Sequence, residues 1–147
     1  MNIKPALEML NKDSRMRKLI KDYGAPDFEP ENDYFQSLMR SIVFQQLSGK
    51  VAKIIYQRLI SLIPNNKVLP KAVLMLSEDD MRKAGLSLQK INYIKNLANY
   101  FDNNLFNSNK VKKMSDEEIS RELIKIKGIG QWTVDMFLMI ALNRPDV

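Results

Sequence analysis

Apolar residues along this chain recur every three or four positions, the spacing of a helix that buries one face. The alternation expected of half-buried strands between turn residues is absent. Phe35, Leu38, Ile42 and Gln45 share one face of a helix that begins at Tyr34, and Ser48 and Gly49 break it. Val51, Ile55, Leu59 and Leu62 mark the next helix, which stops ahead of Pro64 because a residue before proline is pushed out of the helical region. Ser87 opens a longer helix, with Ile91, Ile94, Leu97, Ala98 and Phe101 facing inward. Shorter elements are set by their end residues. Asp13 caps a helix that runs to Tyr23, with Gly24 just past its end. Pro70 to Met75 is a short helix, and Ser77 with Asp80 caps another that closes at Gly85. Ala25 to Asn32 carries two prolines and little periodicity and is predicted to be a linker; Asp102 to Lys113 is mostly polar and is predicted to be a loop. Ser115-Asp116-Glu117-Glu118 is a capping box for a helix starting at Asp116, and a final helix runs from Gln131 to about Leu142. The expected fold class is all-α, with no internal repeat.

Composition narrows the function. A chain of 147 residues can bury one full core, and 45% hydrophobic with 27% charged residues is ordinary for a folded domain. The net charge of +6 makes an anionic partner plausible. Cysteine and histidine are both absent, which excludes disulfides, thiolate or imidazole metal sites, a cysteine nucleophile and a histidine base. No signal peptide and no apolar run of membrane-spanning length is present.

The segment Ile126-Lys127-Gly128-Ile129-Gly130-Gln131-Trp132-Thr133 joins the last two predicted helices. Glycine alone takes a positive φ without steric cost, so two glycines one residue apart let a helix stop and restart within a turn. The restarted helix offers its free N–H groups and the positive end of its dipole to an anion. On this reading the amides of Gly130, Gln131 and Trp132, with the Thr133 hydroxyl, face a phosphate. The bland alternatives are a glycine turn in an ordinary pair of helices and a Thr133 hydroxyl bonded to its own helix. Trp132 is either a core residue or a flat aromatic platform for stacking.

The octet resembles the helix-hairpin-helix of the DNA glycosylase superfamily, and its Trp-Thr pair resembles the alkylbase branch typified by 3-methyladenine DNA glycosylase II. The resemblance implies a helical barrel carrying the hairpin over 34–147, with 1–33 as N-terminal helices and linker that pack on a C-terminal segment of the family. It also implies a cation held by backbone carbonyls of Ile124, Ile126 and Ile129, and no required cofactor. Strand-cleaving relatives carry a lysine where Trp132 stands, so a Schiff base at this position is excluded. Ile42 to Ser48 resembles the turn that enters the minor groove, with Gln46 filling the gap left by an extruded nucleotide and Gln45 and Leu47 beside it. Gly85-Leu86-Ser87 with Lys90, Tyr93, Ile94 and Leu97 also fits the family, Lys90 being a phosphate contact if it has a role beyond packing.

The implied activity is hydrolysis of the N-glycosidic bond of alkylated purines such as 3-methyladenine in duplex DNA, by an intracellular monomer in the cytoplasm or nucleoid if the source is prokaryotic. The family's essential aspartate lies roughly twenty residues after the Trp position, which falls beyond Val147. Asp135 and Asp146 match no catalytic role, and Met136 stands where some relatives place an aromatic pocket residue. The chain alone is therefore expected to be inactive or nearly so. A non-catalytic DNA-binding module on the same fold and a helical protein-interaction domain are the alternatives.

Overall fold

The computed structural model describes residues 3–25, 31, 33–103, 106, 108–144 and 147. Its regular elements are helical throughout the described residues: α1 (Lys4–Leu10), α2 (Ser14–Tyr23), α3 (Tyr34–Phe44), α4 (Gly49–Ser61), α5 (Pro70–Leu74), α6 (Glu78–Lys83), α7 (Leu88–Asp102), α8 (Ser108–Val111), α9 (Asp116–Leu123) and α10 (Gln131–Met136). None of these helices is long and apolar enough to cross a membrane.

The predicted caps are present. Asp13 accepts from the amides of Arg15 and Met16, and Gly24 closes α2 at φ 80°. Ser77 caps α6 and Ser87 caps α7 through their hydroxyls. Ser115 and Glu118 form both halves of the capping box ahead of α9. Each such bond satisfies an amide that the first turn of a helix leaves open.

The core lies around α7, which packs on α3 and α5. Leu38, Met39, Ile42 and Val43 of α3 are fully buried, as are Ile94, Leu97 and Ala98 of α7. An aromatic chain ties the elements: Phe35 to Phe101 at 5.5 Å, Phe101 to Phe106 at 5.5 Å and Phe106 to Phe137 at 6.1 Å between ring centres. The segment expected as a polar loop is thus partly core. It contains α8, and Phe106 and Val111 are buried. The apolar residues in it are too few and too irregular to show a period.

The last helix also departs from expectation. Past α10 it continues from Phe137 to Ala141 as a π-helical turn, in which the Leu142 amide reaches back five residues to the Phe137 carbonyl at 3.1 Å. It then stops with Asn143 in the left-handed region and the Arg144 amide bonded to the Leu138 carbonyl, six residues back, at 3.0 Å. Before Tyr34 no described residue is buried: Met9 of α1 is 74% exposed and Tyr23 of α2 is 84% exposed. Most of the expected linker, Ala25 to Asn32, lies outside the described residues.

Candidate nucleic-acid interface

The hairpin between α9 and α10 grows out of two short turns. The Ile126 amide bonds to the Leu123 carbonyl and the Ile129 amide to the Ile126 carbonyl, both at 3.0 Å. Ile126 and Ile129 are buried and anchor the loop from beneath. The two glycines do different things. Gly128 sits at φ 107°, and a Cβ there would lie 2.3 Å from Cγ of Tyr93, so the Tyr93 ring presses on the bare backbone. Gly130 corrects the expectation that both glycines serve the turn. Its φ of −103° and ψ of 172° are extended backbone open to any residue. A Cβ at Gly130 would meet nothing within 4 Å, so what the glycine leaves is clear space beside the amides.

The amides of Thr133 and Val134 both bond to the Gly130 carbonyl, at 2.9 and 3.1 Å. Those of Gly130, Gln131 and Trp132 have no protein acceptor among the described residues. The Gln131 side chain is engaged elsewhere: its oxygen accepts from Ser120 Oγ at 3.1 Å and its nitrogen donates to Asp135 Oδ1 at 2.7 Å, bracing α10 on α9. Only its backbone is free for a ligand. Thr133 is a second correction. It is 2% exposed, so its side chain faces the core and its hydroxyl is not displayed to a phosphate. Of the three carbonyl residues expected to hold a cation, Ile126 already accepts the Ile129 amide, while no protein donor reaches the carbonyls of Ile124 and Ile129 among the described residues.

The turn between α3 and α4 faces the hairpin. Gln45 Nε2 donates to the Gly128 carbonyl at 3.1 Å. The expectation of Gln45 as a DNA contact gives way to a tether, since its amide is committed to the hairpin. Gln46 is exposed and left-handed at φ 56°, a conformation rare for a residue with a side chain. Leu47 is 38% exposed, with its amide bonded to the Phe44 carbonyl at 3.3 Å. Lys90 of α7 is not turned outward as a phosphate contact would be. Its Nζ donates to the carbonyls of Val43 and Gln45 at 2.7 and 2.8 Å, and burial pushes its ammonium below the usual lysine range.

Between turn and hairpin opens a cavity of about 690 Å³, whose wall includes Phe44, Gln46, Tyr93, Trp132 and Met136. Trp132 is 66% exposed and so is not a core residue: the indole stands at the wall of the cavity. No Asp or Glu is found among the described residues of the wall. Asp135 is held by Gln131, and Asp146 lies outside the described residues. Lys127 is exposed on the hairpin, whereas Lys125 pairs with Glu122 at 2.7 Å. Glu122 also accepts from the Tyr100 hydroxyl at 2.8 Å. The bonds from Lys125 and Tyr100 hold its carboxyl below the usual range, while burial and the Glu122 carboxylate push the Tyr100 phenol up. Tyr93 was not legible as a site residue. Its role depends on α7 lying against the hairpin, and a tyrosine at helical spacing carries no mark of that.

Residues 39–144 match the model of the HhH-GPD superfamily of base excision DNA repair proteins. The chain is 33% identical over 135 residues to DNA-3-methyladenine glycosylase 1 of Schizosaccharomyces pombe, covering 90% of this chain and 59% of that protein. It is 33% identical over 151 residues to DNA-3-methyladenine glycosylase of Saccharomyces cerevisiae, covering 97% of this chain and 50% of that protein. The chain therefore spans only 50 to 59% of the length of these curated relatives. Among solved structures, it is similar to a 3-methyladenine DNA glycosylase of Schizosaccharomyces pombe in complex with abasic DNA, with a TM-score of 0.83 and 31% identity over 97% of this chain and 72% of that one. The DNA-3-methyladenine glycosidase of Bacillus halodurans superposes with a TM-score of 0.81 and 34% identity, covering 98% of this chain and 67% of that one.

Proposed function

The chain belongs to the HhH-GPD superfamily of base excision DNA repair proteins, and on that premise we propose that it supplies the DNA-gripping and base-stacking part of a monofunctional glycosylase for alkylated purines such as 3-methyladenine. The observation that carries the reading is an exposed Trp132 on the wall of a cavity framed by a glycine hairpin and a strained, exposed turn. In this reading the amides of Gly130, Gln131 and Trp132 hold a phosphate, which grips any sequence because it touches no base edge. Gln46 enters the minor groove, and the extruded base stacks on Trp132, where a cationic purine gains from the face of the indole. A monovalent cation on the carbonyls of Ile124, Ile126 and Ile129 would add to the pull on the same phosphate, the Ile126 oxygen keeping a second lone pair beside its bond from Ile129. The protein acts as an intracellular monomer with duplex DNA as its partner.

As the base leaves, positive charge grows at C1′ of the sugar, and a carboxylate is the natural group to steady it or to orient water. The described wall of the cavity offers none. We assign that carboxylate to sequence outside this chain, as the greater length of the relatives allows. The 147 residues are then expected to prefer a duplex containing an abasic-site analogue over an undamaged one, and to release little methylated base. Absence of duplex binding at low salt would overturn the DNA reading, and brisk release of 3-methyladenine by the chain alone would overturn the placement of the carboxylate. A non-catalytic duplex-binding module is the second reading, favoured by the same wall without an acid; base release by a longer form of the protein decides against it.

A further inference from the structure

The α3–α4 turn is bonded more completely than an exposed turn requires. A helix end leaves its last carbonyls without partners, and glycine in the left-handed position is the usual way to close it. Here the left-handed residue is Gln46, and the open carbonyls are met in two ways. The Gln45 amide returns to the Ser41 and Ile42 carbonyls, and the Leu47 amide to that of Phe44. The carbonyls of Val43 and Gln45, one on either side of Phe44, converge on the single Nζ of Lys90, which reaches across from α7. Gln45 Nε2 then ties the same turn to the Gly128 carbonyl, so the turn is fixed to α7 on one side and to the hairpin on the other.

We propose that Lys90 is the positioning residue of the groove-facing turn: its ammonium closes the end of α3 and so holds Gln46 in a left-handed conformation beside the cavity before DNA arrives. The proposal rests on the glycosylase reading for what the turn does, though not for what Lys90 holds. The charge sits where it complements the negative end of the α3 dipole. Its lowered basicity, caused by burial, agrees with an ammonium withdrawn from solvent. A turn already in shape loses less freedom on insertion than one that must order itself on the duplex.

Two roles for this lysine predict different measurements. A phosphate contact weakens all duplexes alike when removed, and flattens the dependence of log affinity on log salt by roughly one. A positioning residue leaves the undamaged duplex and its salt slope alone, and removes the preference for a gap in the stack. The test compares the unaltered chain with Lys90→Met on undamaged duplex and on duplex containing an abasic-site analogue, across a salt series. Loss of two charge-assisted bonds to the turn should cut the preference for the abasic duplex roughly five- to tenfold. Lys90→Arg, which keeps the charge and several donors, should restore most of it. A uniform loss with a shallower slope, or an undiminished preference, would overturn the proposal. If the unaltered chain shows no preference for the abasic duplex, the glycosylase reading fails. Amide exchange in the free protein then decides the proposal: faster exchange at Gln45 and Leu47 in Lys90→Met supports it, and unchanged exchange overturns it. If Lys90→Met does not fold, acetylation of the unaltered chain decides instead. Lys90 should react several-fold more slowly than the exposed Lys127, and equal rates would overturn the assignment.

Discussion

Replacing the hairpin glycines one at a time separates what holds the turn from what meets the ligand. Gly128→Ala places a methyl 2.3 Å from Cγ and 2.6 Å from Cβ of Tyr93, at φ 107°. Carbon atoms rest about 3.5–4.0 Å apart, so the ring must retreat by more than an ångström. The left-handed backbone costs an L-residue roughly 1–2 kcal/mol, and forcing an extra carbon into packed surroundings costs roughly 1–3 kcal/mol. The expected loss is the sum, about 2–5 kcal/mol, or a fall in Tm of roughly 5–15 °C for a domain of this size. Gly130→Ala meets open space in an extended conformation. It should leave stability unchanged or raise it by roughly 0.4–1 kcal/mol, because alanine narrows the unfolded ensemble. Its new methyl would nevertheless stand beside the free amides, and affinity for duplex DNA should fall. Urea unfolding and fluorescence anisotropy on both variants read the two effects. A cycle with Tyr93→Ala isolates the steric part: relief of the ring clash should recover roughly 1–3 kcal/mol in Gly128→Ala, while the backbone strain remains. The reasoning is refuted if Gly128→Ala is neutral, or if Gly130→Ala destabilises the fold as much as Gly128→Ala does.

Three further outcomes are expected. Trp132→Ala should change unfolding stability little, since the indole is 66% exposed, and should weaken binding of a duplex with an extrudable base by roughly tenfold or more, the scale of one lost stacking contact; a large loss of stability with intact binding would argue against the platform. Gln46→Gly removes both the strained φ of 56° and the side chain, so stability should hold or rise slightly while the preference for an abasic duplex declines in a competition assay. Glu122 is held as a carboxylate by Lys125 and Tyr100 below its usual pKa; its contribution is present above the ordinary glutamate value of about 4.3 and is lost as pH falls through the lower folded value. Glu122→Gln should therefore make the acid loss of stability shallower below about pH 4.5, and an unchanged slope would show that the pair contributes nothing.

Helices with regular apolar spacing and a named cap were readable in advance because their causes are local. Ser115 with Glu118, Ser87 ahead of Ile91, and Asp13 with Gly24 each fix an end within one turn of the chain. What escaped notice depends on contacts distant in sequence. Phe106 belongs to the core because Phe101 and Phe137 meet around it, and apart from Leu105 its neighbours in sequence are polar. The π turn at Phe137–Ala141 leaves no mark in an apolar run that suits an α-helix equally well.

The site divides along the same line. Gly128 and the exposed Trp132 lie within one octet, and their chemistry could be argued from residue type alone: one needs a bare backbone, the other offers a flat face. Gln45, Lys90 and Tyr93 could not be assigned that way, since each acts on an element far off in the chain. Gln45 reaches Gly128 across 83 positions, and Lys90 reaches Val43 across 47. Together they make the turn and the hairpin one rigid unit: Tyr93 presses on the same Gly128 whose carbonyl Gln45 holds, and Lys90 holds Gln45 in turn. Loosening any one of the three should therefore disturb the other two, which independent phosphate and groove contacts would not do. Double-mutant cycles of Gln45→Ala with Lys90→Met are expected to show coupling of roughly 0.5–3 kcal/mol in abasic-duplex binding. Strict additivity would mean that the turn and the hairpin meet DNA as separate parts.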